Sequence, residues 1–458
     1  MHVSADRLVA ALVEVLPADA VLVDDAALTA AGRDTAPLHA ARPDVVVEPS
    51  STAEVVAVVR TTAALDAPVT VRGAGSGLAG AAVPSRGGVV LSTRRMARVL
   101  EVSRPELLAV AQPGVVLTDL DAAADEHGLR YAPDPASSAW ATLGGSAATS
   151  AGGLRGLKHG TTREAVLGLE VVLADGEVIR TGGRLRKDVA GYDLTRLLVG
   201  SEGTLGVITE LIVALQPVPQ TSSTGVAVFD DLEAASRAVT AVLAAGVVPA
   251  TLEFLDHRSI TAVEDAAHLG LDTTAGALLI FGDDGDASAV QRSLEQIAQV
   301  CAAGGGRDVV VAEGAAQAED LLAARRCALP ALQRLAPVAD LGDVGVPRPH
   351  LAQAVHRIGE ATRGRGLDVA VFGHAGDGNL HPVLCYDPSD DGAADAARAT
   401  WGEVYRTALE LGGTITGEHG VGLAKLPYLE LQRGSAQTAL YRRLKAAFDP
   451  GGLFPAGA

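Results

Sequence analysis

A β-branched segment runs directly into a glycine-rich loop in the stretch Pro68-Val-Thr-Val-Arg-Gly-Ala-Gly-Ser-Gly-Leu-Ala-Gly80. The segment before the loop is typical of a short strand, and the glycines leave successive backbone N–H groups unshielded by side chains. Such a nest of N–H groups suits the oxygens of a pyrophosphate, although plain turns share the pattern. The loop lacks the Lys-Ser/Thr pair of a nucleotide-triphosphate site. No acidic residue follows at the place that a nicotinamide ribose requires, which disfavours a Rossmann site.

The segments around this loop alternate between strand and helix. Residues 43–49 are β-branched, and Ser50-Ser-Thr-Ala-Glu54 has the capping-box spacing of a helix that reaches about residue 65. Further on, residues 166–173 and 178–181 are predicted strands, joined by the hairpin signal Ala174-Asp-Gly-Glu177. At 458 residues the chain is too long for one core, so we expect two or three domains.

The composition of the chain argues against several classes of function. Hydrophobic residues make up 48% of the chain and charged residues 20%, which is typical of a globular protein. The net charge of -18 does not suit a nucleic-acid backbone or an anionic membrane surface. Three cysteines without a Cys-x-x-Cys pair favour a reducing compartment and argue against an iron–sulfur cluster held by this chain alone.

The expected location follows from the missing targeting signals. The first residues lack the basic and then apolar pattern of a signal peptide, and no segment reads as a transmembrane helix. We therefore expect a cytoplasmic protein, with peripheral attachment to the inner membrane left open.

Two histidines flank a turn in the stretch Val371-Phe-Gly-His-Ala-Gly-Asp-Gly-Asn-Leu-His-Pro382. Apolar residues on both sides of the Gly-Asp-Gly-Asn centre predict strand, tight turn, strand. The turn would bring His374 and His381 to face each other across a hairpin, as half of a metal site. The alternative is a polar turn with two ordinary histidines.

A second polar cluster, Thr416-Gly-Glu-His-Gly-Val-Gly422, favours the metal interpretation. Glu418 supplies a third ligand, and three protein ligands with an open position are the arrangement of a catalytic zinc-like ion. His419 is then free to act as a base. The flanking glycines let the backbone approach a ligand closely.

Longer strings carry a family resemblance. Those in the first half resemble the flavin-binding domain of the vanillyl-alcohol oxidase/p-cresol methylhydroxylase type: Arg72-Gly-Ala-Gly-Ser-Gly77, Pro133-Asp-Pro135, Leu143-Gly-Gly145, Ala151-Gly-Gly153, Leu169-Glu-Val-Val-Leu-Ala-Asp-Gly176, Lys187-Asp188, Gly191-Tyr-Asp-Leu194 and Gly200-Ser-Glu-Gly-Thr-Leu-Gly206. The two C-terminal strings resemble the branch that contains D-lactate dehydrogenases, D-2-hydroxyglutarate dehydrogenases and the glycolate oxidase D subunit. The resemblance covers about residues 43–454.

This resemblance implies an α+β fold. It consists of a two-subdomain FAD-binding domain of the p-cresol methylhydroxylase type at residues 1–216 and an α+β cap domain with an antiparallel sheet at residues 217–412. A C-terminal segment, residues 413–458, would return to the FAD domain.

The resemblance also implies a set of FAD contacts. Because the pyrophosphate loop contains no histidine, the flavin is expected to be held without a covalent bond. The implied contacts are Arg72, Gly73, Ala74, Gly75, Ser76, Gly77, Leu78, Pro133, Asp134, Leu143, Gly144, Gly145, Ser150, Gly152, Gly153, Gly160, Gly203, Val207 and Ile208. Asn379 is a candidate contact of the metal ligands or the flavin, and Lys187 a candidate that an ordinary surface lysine explains as well.

The implied activity is oxidation of a small D-2-hydroxy acid to the 2-oxo acid. The hydroxy acid would bind a divalent metal, with zinc expected, at His374, His381 and Glu418, while His419 removes the hydroxyl proton and the C2 hydride passes to flavin N5. Arg325 and Arg348 are the candidates to grip the substrate carboxylate, and solvated surface arginines are their alternative.

Leu329 and Leu341 stand where hydroxyglutarate enzymes carry Thr and Lys, which favours D-lactate or glycolate over a five-carbon diacid. D-2-hydroxyglutarate oxidation is retained as an alternative, as is a flavin-binding subunit of a multi-subunit glycolate oxidase. A synthase of the alkyl-dihydroxyacetone-phosphate kind is disfavoured, since a run of histidines is expected where this chain has Gly417-Glu-His419. The expected electron acceptor is a quinone, a cytochrome or an electron-transfer flavoprotein. A homodimer is left open.

Overall fold

The computed structural model describes residues 3–456, apart from the side chains of residues 315, 316, 319 and 320. The chain forms two units. Unit 1 contains the chain up to Gly152, Gly160–Val218 and the chain from Glu418; unit 2 contains Gly153–His159 and Pro219–Gly417. The division of the chain at residues 216 and 412, expected from the sequence, stays a prediction.

Unit 1 is built on two main sheets. The first has the order β1-β2-β4-β3, with three parallel strands and β1 antiparallel; its strands are β1 (Val21–Leu22), β2 (Val45–Val47), β3 (Val69–Arg72) and β4 (Val89–Ser92). The second is antiparallel with the order β5-β6-β10-β8-β9; a short pair, β7 with β11, lies apart from it. The strands are β5 (Val99–Ser103), β6 (Leu108–Ala111), β7 (Leu129–Arg130), β8 (Val166–Val172), β9 (Val178–Gly182), β10 (Val207–Ala214) and β11 (Gln216–Pro217).

The helices of unit 1 pack on these sheets around apolar cores. One core, which contains Val69 and Leu91, also takes in Leu453 and Phe454 from the end of the chain. The backbone N–H of Val69 donates to the carbonyl of Leu453 at 2.9 Å, which attaches the end of the chain to β3. The helices are α1 (Ala5–Val13), α2 (Asp25–Ala31), α3 (Thr52–Ala64), α4 (Leu117–Asp125), α5 (Leu143–Thr149), α7 (Thr162–Ala165), α8 (Leu194–Leu198) and α15 (Gly422–Phe448), the last interrupted at Gly434.

Unit 2 is one antiparallel sheet with helices around it. The strand order is β15-β12-β14-β13-β18-β19-β16, and β17 also pairs with β19. Its strands are β12 (Thr221–Phe229), β13 (Thr251–Asp256), β14 (Ala277–Gly285), β15 (Arg307–Val311), β16 (Val338–Leu341), β17 (Val344–Gly345), β18 (Asp368–His374) and β19 (Asn379–Tyr386). Its helices are α6 (Gly156–His159), α9 (Leu232–Ala244), α10 (His257–Ala267), α11 (Ala287–Ala303), α12 (Ala315–Leu332), α13 (Leu351–Arg363) and α14 (Ala393–Glu410).

The α+β class and the antiparallel sheet expected for the second domain are confirmed. Within the described part of the chain, no helix is long and apolar enough to cross a membrane.

Candidate active site

The predicted hairpin is present as β18 and β19, which lie between β13 and β16 in the unit 2 sheet. Its register places His374 opposite Asn379 and His381 opposite Phe372, so the two histidines are diagonal neighbours and not direct partners. Their ring centroids still lie 5.1 Å apart, edge to face, because diagonal residues of a hairpin share a face of the sheet. Both side chains are buried, and a ring nitrogen of each lies within 4.8 Å of one on the other. Two buried imidazoles this close are a suitable donor pair for a transition-metal ion.

A buried carboxylate on the neighbouring strand holds one of these rings. Glu253 of β13 is 1% exposed, and its Oε1 lies 2.7 Å from Nδ1 of His374. Its Oε2 accepts a hydrogen bond of 2.7 Å from Nε of Arg325, whose guanidinium also lies 4.6 Å from the centroid of the Phe372 ring. Burial alone would raise the pKa of Glu253, but its interactions with His374 and Arg325 outweigh burial and hold this pKa below its usual value.

Arg325 itself is buried beside the histidines. It is 8% exposed, and its Nε is used by Glu253. Among the residues that the structure describes, no acceptor is hydrogen bonded to its two Nη atoms. Arg325 therefore presents a buried donor fork next to the histidine pair, which is the geometry that a carboxylate ligand needs.

A second buried carboxylate fixes the segment that leads to the Glu-His pair. Asp343 is fully buried; its Oδ1 accepts from the Asn379 amide at 2.6 Å, and its Oδ2 accepts from the hydroxyl of Thr416 at 2.6 Å and the N–H of Gly417 at 2.8 Å. A Cβ at Gly417 would lie 2.2 Å from Nδ2 of Asn379, so only glycine fits there. Asp343 thus fixes the backbone immediately before Glu418.

The Glu-His pair belongs to unit 1. Nε2 of His419 lies 3.8 Å from Oε1 of Glu418, and the two side chains are 13% and 15% exposed. Glu418 packs so closely on the backbone of Gly152 that a Cβ there would lie 2.3 Å from its Oε2. This contact explains a glycine at position 152 without any flavin contact.

Glu202 holds the far end of the same loop. Its two carboxylate oxygens each lie 3.1 Å from the N–H of Gly422, and a Cβ at Gly420 would lie 2.2 Å from its Oε1. Burial raises the pKa of Glu202 above its usual value. Within unit 1, therefore, a half-buried carboxyl group holds the backbone that follows His419.

The glycine-rich loop after β3 has the properties of an anion cradle. Among the described residues, none accepts a hydrogen bond from the backbone N–H groups of residues 74–79, although the loop is half-buried. Half-buried N–H groups without protein partners are the cradle that phosphate oxygens would fill. The guanidinium of Arg72 donates to the carbonyl of Arg33 at 2.8 Å and lies over Gly75, where a Cβ would be 2.0 Å from its Nη2. The loop residues therefore fit a pyrophosphate.

The other residues expected at the flavin are spread over both units. Gly73 lies against Thr142 and the backbone of Gly145, and Gly203 lies against Val71. Gly153 and Asn379 are in unit 2, where Asn379 donates to Asp343 and to the carbonyl of Val344 at 3.0 Å. The remaining ones are in unit 1: Ala74, Ser76, Gly77, Leu78, Pro133, Asp134, Leu143, Gly144, Ser150, Gly160, Val207 and Ile208. Their flavin contacts stay predictions.

Two further residues predicted for the site, Arg348 and Lys187, are exposed. Arg348 is exposed, and its Nε donates to the carbonyl of Gly376 in the turn of the histidine hairpin. Lys187 is also exposed, in a segment where Val189 and Tyr192 are 97% and 96% exposed. The structure brings Arg348 to the hairpin turn and gives Lys187 the setting of a surface lysine.

Three carboxylates were missed in the sequence: Glu253 and Asp343, which are buried, and Glu202, which is half-buried. Glu253 had a visible signal, since it is a charged residue within the otherwise uncharged run Thr251-Leu-Glu-Phe-Leu255. A charge in such a strand requires a buried partner. Asp343 has a similar signal in Leu341-Gly-Asp-Val-Gly345, but Glu202 sits in a glycine turn that offers none.

Comparisons with known proteins agree with this architecture. A model of the FAD binding domain matches residues 43–182, and a model of the C-terminal domain of FAD linked oxidases matches residues 218–458. The glycolate oxidase subunit GlcD of Bacillus subtilis is 44% identical over 93% of this chain and 90% of its own. A D-lactate dehydrogenase of Anaerostipes hadrus is 36% identical over 90% of this chain and 88% of its own.

The fold is shared with a solved structure of p-cresol methylhydroxylase with bound substrate. The TM-score is 0.83 at 18% identity, with 97% of this chain and 95% of that chain covered. The sequence matches extend over both units, from the glycine-rich cradle to the histidine hairpin. The chain therefore belongs to the family of FAD-linked oxidases.

Proposed function

We propose that this protein is an FAD- and metal-dependent dehydrogenase that oxidises a small D-2-hydroxy acid to the 2-oxo acid. The names of its relatives, a glycolate oxidase subunit and a D-lactate dehydrogenase, support the class of substrate. The observation that carries the proposal is the buried pair His374 and His381, whose rings lie 5.1 Å apart beside a buried arginine.

The proposed metal ligands are His374, His381 and Glu418. The Nδ1 of His374 faces Glu253, which leaves Nε2 of this ring as the donor atom. Glu418 follows Gly417, which Asp343 fixes beside Asn379, the cross-strand partner of His374. The peptide bond keeps the Cα of Glu418 about 3.8 Å from that of Gly417. A divalent metal, with zinc expected from the nitrogen and carboxylate donors, would polarise the substrate hydroxyl and lower its pKa.

Arg325 binds the substrate carboxylate in this proposal. Its Nε is held by Glu253, so the two Nη groups remain in a fixed orientation for a bidentate contact. Arg348, at the hairpin turn, is the second candidate for the same role. A substrate carboxylate held at Arg325 would lie beside the histidine pair. This position would orient the hydroxyl on the neighbouring carbon towards the proposed metal ligands.

His419 is the proposed base. Its ring is mostly buried next to Glu418, and burial limits the access of bulk water to the proton that it takes from the hydroxyl. The flavin, held non-covalently by the cradle at residues 72–80, supplies the acceptor for the C2 hydride. The loop residues hold the pyrophosphate through backbone N–H groups, without a charged side chain in the loop after Arg72.

D-lactate or glycolate are the proposed substrates. Leu329 and Leu341 are apolar and pack at the edge of the unit 2 core, so neither offers a partner to a second carboxylate. Oxidation of D-2-hydroxyglutarate is the alternative. The electrons are proposed to pass to a quinone, a cytochrome or an electron-transfer flavoprotein. A role as one subunit of a larger glycolate oxidase assembly is a second alternative, which the name of the Bacillus subtilis relative supports.

The deciding experiment is anaerobic reduction of the FAD-loaded protein. D- and L-lactate, glycolate and D-2-hydroxyglutarate are added one at a time, and bleaching of the flavin band is followed before and after treatment with a chelator. We expect rapid bleaching by a D-hydroxy acid or glycolate, loss of bleaching after chelation, and recovery with zinc. If no hydroxy acid reduces the bound flavin, or if chelation leaves the rate unchanged, the proposal is refuted.

A matched pair of variants separates the metal role from a general effect. His381→Asn removes a proposed ligand, whereas His356→Asn removes a histidine whose side chain is 57% exposed on α13. We expect His381→Asn to abolish substrate-dependent bleaching while retaining bound flavin. His356→Asn is expected to bleach at the rate of the unmodified protein.

A further inference from the structure

We propose that Glu253 is a positioning residue that sets the tautomer of His374 and the orientation of Arg325 together. The inference rests on the proposed function, because His374 is taken as a metal ligand and Arg325 as the carboxylate site. It assigns to one buried carboxylate the alignment of both. Glu253 touches neither the substrate nor the metal in this proposal.

The strand pairing brings the three groups together. β13 pairs with β18 in a register that sets Phe254 opposite Gly373, and the same register continues to place Glu253 beside His374. Arg325 approaches from α12, which packs against β13. Glu253 is 1% exposed and uses one oxygen for each partner, at 2.7 Å in both cases.

The carboxylate determines which nitrogen of His374 carries the proton and which carries the lone pair. An ionised carboxylate only accepts hydrogen bonds, so it requires the proton of His374 on Nδ1. The lone pair then lies on Nε2, the atom that a metal needs. The same carboxylate holds the Arg325 guanidinium through Nε, which leaves its two Nη groups for another acceptor.

Replacement of Glu253 by glutamine should reverse this tautomer. The amide has one oxygen and one NH2 group, and Nε–H of Arg325 can only donate, so the amide oxygen turns to Arg325. The NH2 group then faces Nδ1 of His374, which must accept, and the proton moves to Nε2. A protonated Nε2 does not bind metal. The opposite amide orientation would place two buried donors against each other, which folded proteins avoid.

The experiment measures zinc affinity of the FAD-loaded protein by competition with a chromophoric chelator. We expect Glu253→Gln to bind zinc about 10- to 100-fold more weakly than the unmodified protein. The control is Asp283→Asn, which breaks the ion pair between Asp283 on β14 and Lys158 on α6; β13 separates β14 from the histidine hairpin. Its zinc affinity should stay within about twofold, although its stability falls.

A rescue variant tests the tautomer argument directly. In Glu253→Gln/Arg325→Met no donor competes for the amide oxygen, so the amide can turn and accept again from Nδ1 of His374. We expect zinc affinity to recover most of its loss in this double variant, although turnover does not. A merely structural role of Glu253 predicts the reverse, since the double variant removes a further buried contact.

A spectroscopic measurement makes the outcome independent of the metal. Nitrogen-15 NMR of histidine-labelled, metal-free protein distinguishes the two tautomers, and the His374 signals are those lost in His374→Gln. We expect the proton on Nδ1 in the unmodified protein and on Nε2 in Glu253→Gln. An unchanged tautomer, or an unchanged zinc affinity in Glu253→Gln, overturns the inference. If the unmodified protein binds no zinc, the proposed metal centre fails, and the tautomer alone decides the role of Glu253.

Discussion

Asp343→Asn should lower both the stability and the activity of the protein, although the two side chains have nearly the same shape. The carboxylate is fully buried and faces three donors, the Asn379 amide, the Thr416 hydroxyl and the Gly417 N–H, at 2.6, 2.6 and 2.8 Å. An asparagine must turn its own NH2 group towards one of them. Leaving a buried donor unpaired costs about 1–3 kcal/mol, and the remaining hydrogen bonds lose their charge assistance. We expect a total penalty of about 2–4 kcal/mol.

This penalty should appear in catalysis, because the affected backbone leads directly into Glu418 and His419. If the whole penalty falls on the placement of this segment, kcat/KM drops by about 30- to 1,000-fold. The assay is hydroxy-acid-dependent flavin reduction, together with urea unfolding of the same samples. Thr416→Val is the matched control, since it removes a single hydrogen bond of about 1 kcal/mol from the same carboxylate. If Asp343→Asn retains kcat/KM and the free energy of unfolding as well as Thr416→Val does, the proposed role of Asp343 in fixing this backbone is refuted.

Other variants test separate features. Gly73→Ala puts a Cβ 2.3 Å from Oγ1 of Thr142 at the start of the cradle, and it should lower the FAD content of the purified protein. The control Gly183→Ala has open space around the new Cβ and should keep full FAD occupancy. Equal FAD content in the two variants would contradict the assignment of the loop as the FAD cradle. Arg325→Lys loses the planar fork and should raise KM for the hydroxy acid by about 10- to 100-fold, so an unchanged KM would remove Arg325 from the substrate site. Burial raises the pKa of Asp340 to about 6 from 3.8, although Trp401 donates to it. The folded state therefore binds this proton more tightly, and the free energy of unfolding falls as pH rises from about 4 to 6, by up to about 1.4 kcal/mol per pH unit. Asp340→Asn should remove that slope in urea unfolding at pH 4–7, and parallel pH profiles of the two proteins would contradict it.

Local sequence patterns predicted the elements that short-range physics determines. The β-branched run before the glycine loop is the strand Val69–Arg72, and the predicted hairpin is the antiparallel pair β8 and β9. The histidine hairpin was also predicted, with His374 and His381 facing each other across it. In the observed register His374 pairs with Asn379, so the two histidines are diagonal neighbours. Diagonal residues of a hairpin share a face of the sheet, and the two rings therefore lie close together.

The carboxylates that organise the site could not be assigned from local patterns. Glu253 lies 121 positions from His374 in the sequence and 72 from Arg325. Their meeting depends on the order of strands in the sheet, where β13 pairs with both β14 and β18. Sequence could show that Glu253 needs a buried partner, but only the tertiary strand pairing identifies which one.

The packing of Leu453 and Phe454 into the core of unit 1 has a consequence for synthesis on the ribosome. The strand that these residues complete, Val69–Arg72, emerges early, whereas its last packing partners are translated only after all of Pro219–Gly417. At about 5–20 residues per second, the segment between Val218 and Phe454 takes on the order of 10–50 s to make. Throughout that interval the nascent first unit has an incomplete apolar core. All of Pro219–Gly417 is translated before Leu453 and Phe454. The inserted unit, Pro219–Gly417, is therefore complete on the ribosome before the core of the first unit is.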